Sequence, residues 1–198
     1  MTFGGPGALN SSLIIYNFAD NGKAPLVGER LRIYSRIKRK ALKRAGSKEC
    51  REFLRKLNKA TGNYLYQTAF LENAIEAKKA YDGLKSTINL FKAGATTDAN
   101  STETVQRHIN NDPNVIAVTG ALTPGTRHDS YFNVTSKYFS SVIVTHEALH
   151  SLLGKDDFDI AVEINLVSPP TTDDEWELFY RNKSAYITKR LTENGCGK

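Results

Sequence analysis

Residues 142–153, Val-Ile-Val-Thr-His-Glu-Ala-Leu-His-Ser-Leu-Leu, form an apolar run that carries His146, Glu147 and His150. A segment this apolar belongs in a core. Burying its ionisable groups costs free energy unless each is paired or binds a ligand. Ser140–Thr145 reads as an extended, β-branched approach, and His146–Leu153 reads as a helix with Leu149, Leu152 and Leu153 packed inward. Gly154 is a helix stop. On a helix, positions i and i+4 share one face, so His146 and His150 can offer two imidazole nitrogens to one metal ion. Glu147 then lies beside the metal and is free to handle a proton. The alternative is a buried helix whose two His are satisfied by hydrogen bonds alone.

A catalytic zinc takes three protein ligands and keeps one position open for water. The metal acidifies that water, and Glu147 would take its proton as general base while the water attacks a carbonyl. The segment His146-Glu147-Ala148-Leu149-His150 resembles the active-site helix of the zincin metallopeptidases. It departs from the metzincin pattern His-Glu-x-x-His-x-x-Gly-x-x-His, because Leu153 stands in the Gly slot, Gly154 follows one place later, and no third His appears. The chain has only four His, so a carboxylate is the expected third ligand. Asp157 is favoured because it follows the Gly154 turn, where the chain can fold back toward the metal. Asp159 and Glu163 come next. Asp156 reads better as a helix N-cap. An Asp ligand is similar to the aspzincin pattern, and a later helical Glu to the gluzincin pattern. His128 is the remaining alternative, as a substitute ligand or a donor to an oxyanion. Tyr131 and Tyr138 are further oxyanion candidates, and His108 reads as a surface His.

The 198 residues suffice for one substantial core, and 40% apolar with 24% charged content is ordinary for a globular domain. No run of 18 apolar residues exists, so no membrane span is expected. The start, Met1-Thr2-Phe3-Gly4-Gly5-Pro6-Gly7, lacks the basic and apolar regions of a signal peptide. It reads as a linker, with the domain cut from a larger polypeptide. Cys50 and Cys196 are far apart and have no metal-ligand spacing. They read as one disulfide tying the C-terminus to the N-terminal helices, against the alternative of two thiols in a reducing compartment.

Charge is uneven. Glu29–Lys59 holds thirteen Lys/Arg against three Glu, net +10, while the rest of the chain is net −4. Such a stretch can bind nucleic acid or an anionic surface. Its Leu/Ile spacing and lack of interleaved aromatics favour a solvated cationic helix face instead, so nucleic acid is not the expected partner.

The expected fold is α+β and mostly α, a single domain over 1–198. Residues 1–26 are a lead with a short apolar segment at Leu13–Phe18. Residues 27–92 are helical: Val27–Ala45, then a helix capped by Ser47 with Cys50, Phe53, Leu54 and Leu57 inward, then a helix or pair within Tyr64–Phe91. Residues 93–198 hold a loop at Ala93–Thr104, a short helix at Glu103–Ile109, a small antiparallel sheet with strands at Val115–Thr119 and Tyr131–Val134, a turn at Pro124-Gly125-Thr126, and the His-Glu-x-x-His helix. A helix over Phe158–Leu166 follows. Another is capped at Thr172, with Trp176, Phe179, Tyr180, Tyr186 and Ile187 as its buried side. Zincins carry an edge strand above the metal that pairs with bound peptide. By that resemblance either strand can do so here. The layout also resembles C-terminal domains of bacterial rearrangement-hotspot repeat proteins, some of them zincin-like toxins, which implies a secreted or exported peptidase acting on peptide or protein substrates. Two rivals stand beside it: a basic binding domain, and a zinc-stabilised structural domain with a closed four-ligand site.

Overall fold

A computed structural model describes residues 24–82, 116–119 and 129–197. Within them the chain runs β1 (Ala24–Pro25), α1 (Gly28–Ala45), α2 (Lys48–Thr61), α3 (Thr68–Ala77), β2 (Lys79–Asp82), β3 (Ala117–Thr119), β4 (Asp129–Phe132), α4 (Ser141–Leu153), α5 (Asp157–Asn165), α6 (Asp173–Arg181) and α7 (Lys183–Glu193). The class is α+β with helix dominant. The expectations at Leu13–Phe18, Ala93–Thr104, Glu103–Ile109, His108, Pro124–Thr126 and His128 lie outside the described residues.

Helix α4 is the central element. Every residue of it is buried, and α1, α3, α7 and β3 pack around it. The β-branched residues Val142–Thr145, expected to be extended, are its first turns; the helix starts at Ser141 behind Ser140. Their weak helix propensity is a few tenths of a kcal/mol each. Burial of Val142, Ile143 and Val144 in the core outweighs it.

The four-stranded sheet has the order β1-β2-β4-β3. It is mixed rather than antiparallel. β1 with β2 and β3 with β4 are antiparallel, but β2 and β4 run parallel, with Tyr81 opposite Tyr131. The central pair joins strands distant in sequence, and such a pairing leaves no local hairpin signal. Among the described residues β4 therefore lies inside the sheet, and β3 is the outer strand on that side. Of the helix or pair expected across Tyr64–Phe91, the described residues hold α3 (Thr68–Ala77), and 83–91 lie outside them. Lys78 leaves α3 in an extended conformation, and Lys79–Asp82 becomes β2.

α1 and α2 fall where expected, with Ser47 accepting from Cys50 N–H at 3.2 Å. Leu31 of α1 is exposed. The aromatic C-terminal helix is two helices broken at Asn182, whose side chain accepts from Ala185 N–H and caps α7. Phe179, Tyr186 and Ile187 are buried, but Trp176 and Tyr180 are on the surface. Arg190 of α7 is buried and holds this end together. Its guanidinium donates to both Glu175 oxygens, at 3.2 and 2.9 Å, and to Pro169 O at 2.8 Å. That paired Arg190, with Lys189 beside it, keeps the Glu175 carboxyl well below the usual glutamate range.

Cys50 and Cys196 form a disulfide buried between α2 and the C-terminal tail. The tail runs along the start of α4: Ser141 Oγ donates to Gly197 O at 2.9 Å, and Thr145 Oγ1 to Cys196 O at 3.2 Å. No helix among the described residues is long and apolar enough to cross a membrane.

Candidate metal centre

α4 places His146 and His150 one turn apart, with ring centroids 5.0 Å apart and planes 29° from parallel. The helix ends at Gly154, whose φ of +64° suits glycine and whose N–H closes back onto His150 O at 2.8 Å. Asp156 then caps α5, accepting from Asp159 N–H at 2.9 Å, as its position suggested. This short turn swings Asp157, the first residue of α5, back over the two rings. Its Oδ1 lies 3.0 Å from His146 Nε2 and 3.2 Å from His150 Nε2.

The other ring nitrogens are held from behind. His146 Nδ1 is 3.1 Å from Thr188 Oγ1 of α7. His150 Nδ1 is 2.6 Å from Lys155 O. A carbonyl only accepts, so His150 carries a proton on Nδ1 and turns Nε2 toward Asp157. Partners behind ligating imidazoles fix tautomer and ring orientation in this way. Burial works against a charge on His150, but Asp157 and then Glu147 outweigh it, and the imidazole sits above its ordinary pKa. Burial likewise pushes the Asp157 carboxyl up, and the two His more than reverse this, holding it below the usual range.

The donor set fits a divalent cation. Donors at roughly 2.0–2.1 Å from a tetrahedral ion stand roughly 3.3 Å from each other, close to the two separations here. His150 Nε2 is fully buried and makes no hydrogen bond; Asp157 Oδ1 is near it but off the line an N–H···O bond needs. A buried nitrogen left in this state is what a missing ligand would satisfy. Among the described residues His146, His150 and Asp157 are the one group of three or more such side chains placed to hold a metal. The other acids are elsewhere. Asp159 is exposed, and Glu163 accepts from Tyr66 OH at 2.6 Å and pairs with Lys155.

Comparison with family models, with curated proteins and with solved structures finds no match to this chain. Its own geometry therefore carries the functional reading.

Glu147 is fully buried on the sheet side of α4. Its Oε2 accepts a short hydrogen bond from Thr119 Oγ1 at the end of β3. Thr119 is part of a buried polar cluster that sequence reasoning missed. Its hydroxyl lies 2.6 Å from Ser130 Oγ on β4, and Lys78 Nζ donates to it at 3.3 Å and to Ser151 Oγ on α4. Lys78 is only 3% exposed. Nothing local marks it, because it sits in a Lys-Lys pair at a helix end. Thr188 and the Lys155 carbonyl were also missed. Tyr138 is half-buried beneath the Lys137 ammonium, and Tyr131 lies on β4 beside Val118.

Proposed function

We propose that this protein is a zinc-dependent metalloendopeptidase of zincin type. The observation that carries the reading is the convergence of two buried Nε2 atoms on one Asp157 oxygen, one turn from a buried glutamate. His146, His150 and Asp157 would hold the zinc. When bound, zinc acts as a Lewis acid that polarises the scissile carbonyl and lowers the pKa of water.

The remaining steps belong to the chain's own residues. Glu147 accepts the proton of the attacking water and passes it to the leaving amine, which needs a carboxylate held still within reach of both. Thr119 holds Oε2 of Glu147 in place. Thr188 and Lys155 keep the imidazoles aimed. β3, the outer strand beside α4, offers main-chain groups to an extended peptide, the usual mode of strand addition. The Cys50–Cys196 disulfide supports a secreted or exported protein, since such bonds persist in oxidising compartments.

The purified protein loaded with zinc is expected to cleave unfolded casein. Chelation should remove the activity and zinc should restore it, whereas His150→Ala should abolish both zinc retention and cleavage. Cleavage indifferent to chelator would contradict the proposal. So would tight zinc binding without hydrolysis of any peptide bond, which belongs to a closed structural site.

A further inference from the structure

Lys78 is the C-cap of α3 and is only 3% exposed. A lysine at a helix end can lay its stem on the surface and keep its ammonium in water. This one is pinned from behind instead. Its carbonyl accepts from Tyr34 OH at 3.1 Å and from Lys38 Nζ at 3.4 Å. From that anchor the side chain runs into the core. Its ammonium donates to Ser151 Oγ on α4 and, at 3.3 Å, to Thr119 Oγ1 on β3. Both partners are fully buried. Burying an ammonium is costly unless a counter-charge lies close.

The hydrogen bonds lead from that charge to Glu147. A carboxylate only accepts, so Thr119 gives its one hydroxyl proton to Glu147 Oε2. Its lone pairs are left for Lys78 and for Ser130 Oγ, 2.6 Å away. Ser151 stands four residues after Glu147, on the same face of α4. Lys78 therefore grips that face at two points one turn apart, directly at Ser151 and through Thr119 at Glu147. We propose that Lys78 is a positioning residue for the general base: it fixes the Glu147 carboxylate through the Thr119 hydroxyl and balances its charge. This rests on the peptidase reading and adds to it the part that holds the base still. A misplacement of about 1 Å can cost about a hundredfold in rate, so the effect on turnover is large although Lys78 touches no substrate.

The test is a double-mutant cycle that combines Glu147→Gln with Lys78→Met, which keeps an unbranched stem and removes the charge. In zinc-loaded protein Lys78→Met should lower kcat about 10–100-fold, with KM and zinc content unchanged. In the Glu147→Gln background it should cost nothing further, because the base it holds is already gone. Urea unfolding reads the same pair without turnover. Lys78→Met should lower the midpoint in the wild-type background, where it strands a buried carboxylate, and about half as far or less in the Glu147→Gln background. If Lys78→Met does not fold, Thr119→Val, which cuts the same link with nearly the same shape, takes its place in the cycle with the same expected results. Equal losses of kcat in both backgrounds, or equal midpoint shifts, would overturn the proposal and leave Lys78 a structural cross-link. A fall in zinc content would overturn it too, by placing the effect at the metal ligands. Unequal midpoint shifts in a protein that never hydrolyses peptides would refute the peptidase reading while the pairing of Lys78 with Glu147 stands. Zinc-dependent cleavage that neither variant alters would refute the positioning role alone.

Discussion

Glu147→Gln is expected to lower kcat for peptide hydrolysis by about 10²–10⁴-fold, the usual contribution of a positioned general base, while zinc affinity stays unchanged. The substitution is nearly isosteric. The Gln carbonyl can still accept from Thr119, so the buried cluster of Thr119, Ser130, Lys78 and Ser151 keeps its hydrogen bonds. His146 and His150 of α4 and Asp157 of α5 keep their own partners, Thr188, the Lys155 carbonyl and one another. What is lost is the negative charge and with it the capacity to take a proton. A fluorogenic peptide assay beside a competitive zinc titration separates the two effects. Full activity in the variant would remove Glu147 from the mechanism. Loss of zinc together with activity would mean that Glu147 holds the metal site rather than serving as base.

The largest expected effect on stability comes from the disulfide. Cys50 and Cys196 are 146 residues apart, and closing a loop of that length removes about 5 kcal/mol of unfolded-chain entropy in the loop model. Small domains have a net stability of only about 5–15 kcal/mol, so a Cys50→Ala/Cys196→Ala variant should be close to unfolded at ambient temperature. The consequence reaches the metal centre. The tail accepts hydrogen bonds from Ser141 and Thr145 at the start of α4, and Ser47 donates to Gly195 O at 3.3 Å. Gly197 sits so close to Val142 that an added Cβ would lie 2.2 Å from the valine Cβ. Loss of the bridge frees this strap, and zinc affinity should fall with stability. Urea unfolding of wild type and variant tests this. A variant within about 1 kcal/mol of wild type would show that packing alone holds the tail.

The grouping of His146, His150 and Asp157 was legible because its determinants are local. Two His at i and i+4, a Gly that ends the helix, and an Asp that starts the next one fix the site within twelve residues. The Cys pair was legible because its chemistry allows few options. The residues around Glu147 were not. Lys78 and Thr119 reach it only through the parallel pairing of β2 with β4 and the docking of β3 on α4, contacts between segments far apart in sequence. Val142–Thr145 misled for a related reason: a β-branched run reads as a strand until a core closes around it. Trp176 and Tyr180 misled in the other direction, since aromatic side chains at helical spacing read as buried and here face solvent.

Zinc K-edge absorption on protein loaded with one equivalent of zinc, compared with Asp157→Ala, addresses the metal centre most directly. The expected spectrum has two imidazole nitrogens and one carboxylate oxygen near 2.0–2.2 Å, one further light ligand that chloride or azide replaces, and no sulfur. Asp157→Ala should lose the carboxylate and bind zinc at least about tenfold more weakly. Zinc that does not bind at one equivalent, or a fourth ligand from the protein that no exogenous anion displaces, would contradict a catalytic centre on His146, His150 and Asp157.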